Sequence, residues 1–190
     1  LLLANLGLGL RLTVEYGGRR RRMLFDTGPE GAVFLRNCKN MGIQLGDIEH
    51  ITMTHGHWDH MGALMDTVKA IKADSGDVTV HVNPDMFNPR AVTLPSGQIV
   101  PVQIVPSPAE LEGAGAKVVN DLDPQLLFDD HIYYSGEIPR ITPFEKGRMD
   151  HLCKKTPDGP WEPDPLLMDE RDRKSTRLNS SHVSESRMPS

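Results

Sequence analysis

Cysteine is scarce: only Cys38 and Cys153 occur in 190 residues, with no paired spacing. A disulfide framework is not expected, and a reducing compartment is implied. Cys38 falls on the apolar face of a helical stretch, a place for packing rather than redox chemistry. Long apolar runs are missing too. The opening Leu1 to Leu10 is too short to cross a bilayer. It lacks the basic lead and the small-residue cleavage site of a secretory signal. No membrane segment and a cytoplasmic location are therefore expected. Positive charge is in deficit, with a formal net charge of -5, so no nucleic-acid surface is expected. The one basic run, Arg19 to Arg22, follows Tyr16-Gly17-Gly18 and reads as a hairpin turn with a solvated edge, where charge hinders edge-to-edge pairing. No internal repeat occurs.

What the chain does have is a cluster of metal-binding side chains. Thr54-His55-Gly56-His57-Trp58-Asp59-His60 packs three imidazoles and a carboxylate together. These are ligands that Zn, Fe and Mn accept. A structural role would require each buried polar ring to be satisfied separately, which is costly. The run before the cluster, Ile48 to Thr54, is β-branched and reads as a strand. The run after it places Met61, Leu64, Met65, Val68 and Ile71 at helical spacing. The cluster thus lies on a loop between strand and helix, where scaffolds place chemistry. Side chains two apart on extended backbone point the same way, so His55 and His57 reach one metal. Asp59 and His60, on the turn that follows, reach a second. Gly56 lets the backbone turn between two ligands, and Gly62 eases entry into the helix. Trp58 is a packing residue or a pocket wall.

Further strands are expected at Leu10–Glu15, Arg22–Phe25 and Asp77–Val82. A helix opens at Pro29 and closes at Gly42, with Val33, Phe34, Cys38 and Met41 on one face. Helices alternating with strands give a layered α/β fold. From about 90 to 124, Pro95, Pro101, Pro106 and Pro108 break the pattern. That stretch reads as an insertion or lid over the metal loop, or as an inert connection.

His-x-His-x-Asp-His after a strand, together with Phe25-Asp26-Thr27-Gly28, resembles the metallo-β-lactamase superfamily. The resemblance implies an αββα sandwich, of which this chain would hold the N-terminal half to two-thirds. It also implies two divalent ions, zinc foremost with Fe or Mn as alternatives, held by His55, His57, Asp59 and His60. Asp59 is the implied catalytic residue, orienting the attacking water. Asp26 would lie beneath the ligands and orient an imidazole. Ser135-Gly136-Glu137-Ile138-Pro139-Arg140 with Phe144-Glu145, and Val80 to Phe87, resemble the branch named for dihydropterin–ribofuranosylaminobenzene phosphate synthase. Within it Glu137 and Arg140 become candidate substrate contacts. Arg140 could hold a phosphate or carboxylate through its fork, or serve a structural ion pair instead.

Three functions remain open: a dinuclear metal hydrolase of ester or phosphoester bonds, a transferase of the synthase type, and a metal-poor binding protein. The intact ligand set speaks against the last. The partner expected of the first two is a small-molecule substrate, phosphorylated ones included. Among the remaining histidines, His50 is expected to be exposed and His81 to lie in the core or behind the ligands. His131 and His151 are expected at the surface.

The termini read as interruptions. Leu1 is not methionine. Asp172 to His182 matches the translation of a common sequencing adapter, which resumes at Ser186–Ser190 after an index-sized gap. Residues 172–190 are therefore expected to be non-native, and the rest then carries a net charge of -7. Residues 1–171 are expected to form a partial domain. No Gly-Cys-Ser-His-Ala-Gly-like turn, the implied source of the next ligand, follows. This fragment is expected to bind metal weakly and to be inactive.

Overall fold

The computed structural model describes residues 1–175 apart from Ser75, Gln103, Ile104 and Glu145. Most of the adapter-like tail, residues 176–190, and the Glu145 of the Phe144-Glu145 pair lie outside the described residues.

The centre is a five-stranded sheet. Its order is β1 (Leu10–Tyr16), β2 (Arg19–Phe25), β3 (Ile48–Thr52), β4 (Thr79–Val82) and then β7 (Lys117–Asn120). β1 and β2 pair antiparallel through the Gly17-Gly18 turn, where both glycines take positive φ. The other pairings are parallel. Their crossovers carry helices α1 (Gly31–Asn40), α2 (Trp58–Met61), α3 (Leu64–Ala73) and α4 (Pro108–Gly113). Between β4 and β7 run β5 (Arg90–Thr93) and β6 (Ile99–Pro101).

The two-residue period of strands sorts this sheet onto two cores. Leu24, Ile51, Val80 and Val82 face the helices and join Cys38, Leu64, Val68, Ile71 and Leu111. Met23 and Phe25 face the other way, toward Leu127, Phe128, Ile132 and Tyr134. Those residues belong to or adjoin a three-stranded sheet of β8 (Gln125–Leu127), β9 (Ile132–Tyr134) and β12 (Arg173–Ser175). Helices, sheet and second sheet form stacked layers, the mixed α/β architecture the alternation implied. A further sheet pairs β5 and β6 with β10 (His151–Cys153) and β11 (Glu162–Pro163). Cys38 and Cys153 are both free and buried.

Within the span of about 90–124, β7 pairs with β4 in the central sheet. Two expectations are corrected. β2 is interior to its sheet rather than an edge. Its arginines are held by acids instead: Arg20 bonds Glu15, Arg21 pairs with Glu49, and Arg22 pairs with Asp47. His50 lies within β3, half-buried rather than exposed. Among the described residues, no helix is long and apolar enough to cross a membrane.

Candidate metal centre

β3 runs out at Thr52, and Met53 to His57 continue as a loop before α2. His57 is still extended, with φ -88° and ψ 147°, so His55 and His57 present their rings to the same side. Asp59 follows in the first turn of α2. One ligand atom each from His55, His57 and Asp59 lies within 4.8 Å of the others. The structure thus brings Asp59 to the His55–His57 pair. Asp59 also borders His60, its Oδ2 lying 3.6 Å from His60 Nε2. The His55 and His60 ring centroids are 4.2 Å apart.

Burial, and after it the charge of neighbouring cationic groups, lowers the His55 pKa to about 2 and the His57 pKa to about 4. Both rings are neutral at physiological pH and offer lone pairs, the form that binds a metal. His60 behaves differently. Burial alone would lower its pKa, but the hydrogen bond and charge of Asp26 raise it on balance.

Asp26 has no exposed surface. Its Oδ1 accepts the Thr54 N–H at 2.8 Å, and its Oδ2 accepts the Thr54 hydroxyl at 2.8 Å. His60 Nδ1 lies 2.7 Å from the same Oδ2. Donation from Nδ1 to this carboxylate assigns the tautomer and leaves Nε2 free on the Asp59 side. Thr54 Oγ1 also lies 3.0 Å from His55 Nδ1. The carboxylate therefore orients one imidazole directly and another through a hydroxyl. Thr27 N–H and Oγ1–H both donate to the His60 carbonyl, at 2.9 and 3.1 Å, fixing the end of α2. Gly56 is required by close approach: a Cβ there would stand 2.2 Å from the Met86 carbonyl oxygen.

The donor set fits a divalent ion: two neutral imidazoles and a carboxylate converge, with a third imidazole oriented beside them. Trp58 is half-buried on α2 between two of the donors. Glu137 is half-buried, and its N–H donates to the Leu122 carbonyl at 3.0 Å. Arg140 pairs with Glu170, the ion-pair alternative to a substrate contact. His81 is buried on β4 against Tyr134 of the second sheet, and His131 stacks on Tyr16 at 3.9 Å between centroids.

His151 departs from expectation. It is 6% exposed, and its ring centroid is 5.1 Å from that of His57. The surface placement expected for it fails because β10 pairs with β5 and carries it to the metal loop. Asp169 was also missed. Its Oδ2 accepts the Gly56 N–H at 2.6 Å, and its Oδ1 pairs with Arg90 at 2.7 Å. No local periodicity marks either contact, since both partners lie far along the chain.

The family model described as Metallo-beta-lactamase superfamily matches residues 7–127, and the chain belongs to that superfamily. Within it, one relative is the 7,8-dihydropterin-6-methyl-4-(beta-D-ribofuranosyl)-aminobenzene-5'-phosphate synthase of Methanocaldococcus jannaschii. Identity to it is 29% over 132 residues, covering 70% of this chain and 44% of the relative. The chain thus spans less than half the length of that protein. Among solved structures, the metallo-beta-lactamase MIM-1 from Novosphingobium pentaromativorans is similar with a TM-score of 0.40 and 18% identity, over 93% of this chain and 58% of that one. The subclass B3 enzyme MEM-A1 from a soil metagenome library gives a TM-score of 0.40 and 15% identity, over 80% and 53%.

Proposed function

We propose that this chain carries the metal-binding core of a metal-dependent hydrolase acting on an ester or phosphoester bond in a small molecule. The observation that carries the reading is the convergence of His55, His57 and Asp59, with His60 oriented beside them by Asp26. His55, His57, Asp59 and His60 would hold two divalent ions, zinc first. Bound ions supply Lewis acidity and a water acidified from about 15.7 towards about 7. The chain's own residues do the rest. Asp59, facing both the histidine pair and His60, would orient the attacking water. Asp26 and Thr54 keep the imidazoles in their metal-binding tautomers. Arg140 and Glu137 remain candidates for the substrate side.

A second reading, group transfer of the synthase type, is supported by the named activity of the Methanocaldococcus relative. It would use the same residues, with the ions assisting departure of a phosphate-containing leaving group.

The test is metal analysis of the purified chain, followed by assay against an aryl phosphodiester and against a dihydropterin–aminobenzene pair. Weak metal uptake that His55→Ala abolishes is the expected result, and phosphodiester turnover above the metal-free background supports the hydrolase reading. Condensation without hydrolysis supports the second reading. Undiminished metal content in a His55→Ala/His57→Ala variant refutes both.

A further inference from the structure

Two carboxylates, Asp26 and Asp169, have no exposed surface at all. Asp26 is accounted for by His60 and Thr54. Asp169 comes from the segment between β11 and β12. A lone buried carboxylate is costly unless an opposite charge and hydrogen bonds compensate. Arg90 on β5 supplies the charge, with Nη2 2.7 Å from Oδ1. Arg90 is itself anchored by donating Nη2–H to the Asp85 carbonyl at 3.1 Å. The other carboxylate oxygen is used on the metal loop, where it accepts the Gly56 N–H at 2.6 Å. Two residues on, the Arg171 N–H donates to the Thr54 carbonyl at 2.7 Å. The segment therefore grips the loop on both sides of His55.

Gly56 separates His55 from His57, so its N–H belongs to the peptide that links the first ligand to the second. With no side chain, Gly56 can rotate about φ and ψ more freely than any other residue. A charge-assisted hydrogen bond removes that freedom. We propose that Asp169, held by Arg90, is a positioning residue that fixes the His55–Gly56 peptide plane, and so the spacing of the two imidazoles toward a common ion. This rests on the metal-centre reading above.

Two double variants separate positioning from mere support. Asp169→Asn/Arg90→Met removes both charges but keeps an acceptor oxygen for Gly56. Asp169→Leu/Arg90→Met removes the acceptor as well. Exchanging a buried ion pair for apolar groups is often neutral for folding, and melting of the metal-free proteins checks this. Titration with Co2+ is expected to show affinity about 10- to 100-fold weaker in the leucine variant, with altered visible bands, and within about threefold of the parent in the asparagine variant. A leucine variant matching the parent in affinity and spectrum overturns the inference. Should that variant not fold, the Gly56 amide proton decides. A downfield resonance in the parent that moves in Asp169→Asn supports the inference, and one that does not move overturns it. Absence of Co2+ uptake by the parent itself is the failure of the metal-centre reading, and the inference falls with it.

Discussion

Asp26 is held at φ 59°, a left-handed conformation that costs a residue with a Cβ about 1–2 kcal/mol. Asparagine tolerates that region, while valine does not. An asparagine side chain also keeps an acceptor oxygen beneath the metal loop, and a valine side chain has none. Asp26→Asn is therefore expected to weaken Co2+ binding modestly. Asp26→Val is expected to weaken it by about 10- to 100-fold and to lower the melting temperature. Equal affinities in the two variants would refute the orienting role. This residue and the four candidate ligands were legible in the sequence because each lies within a short motif whose spacing carries the chemistry. Asp169 was not, because Gly56 and Asp169 are 113 positions apart. His151 escaped for the same reason. Imidazole spacing speaks only along a local run, and β10 is placed by pairing with a distant strand.

At the scale of elements, β2 divides the molecule. Leu24 faces the helices while Met23 and Phe25 face the second sheet. Leu24→Ala is expected to cost about 2–5 kcal/mol, measured by urea unfolding. A cost below about 1 kcal/mol would show that the site collapses around the gap. Between the sheets lies a histidine pair, with His50 Nδ1 2.9 Å from His81 Nε2 and Gln125 accepting from His81 Nδ1. Burial first, and His50 second, lowers the His81 pKa from 6.5 to about 4. As pH falls below about 6.5 the unfolded chain takes up a proton that the folded chain refuses until about 4, so stability is lost across that window. The loss is on the order of 3 kcal/mol. Melting temperatures at about pH 7 and about pH 4.5 should diverge less in His81→Gln than in the parent. Equal slopes would refute this. Strands β1 to β4 were readable from alternation and β-branching. β7 was not, because Lys117–Asn120 is four residues long and follows a proline-broken stretch that masks any period.

For the whole molecule, layered α/β organisation was legible, whereas the pairing of β5 with β10 was not. The boundary proposed at residue 171 can be tested directly. The backbone of β12 pairs with β9, and the Asp172 N–H donates to Ser135 Oγ at 2.8 Å. Residues 1–171 alone are expected to keep the circular dichroism and Co2+ uptake of the 190-residue chain. Loss of either would show that the last segment supports the second sheet.

Trp58 has a practical consequence. The chain contains two tryptophans. One of them stands between His57 and Asp59, and the other, Trp161, lies beneath the Lys154 ammonium at 4.9 Å. The protein therefore carries a built-in optical probe. In a Trp161→Phe variant all indole emission comes from Trp58 on α2, and Co2+ bound beside it should quench that emission in proportion to occupancy. Emission that ignores added Co2+ would place the ion elsewhere. Ion uptake can thus be timed in a stopped-flow mixer with no external label.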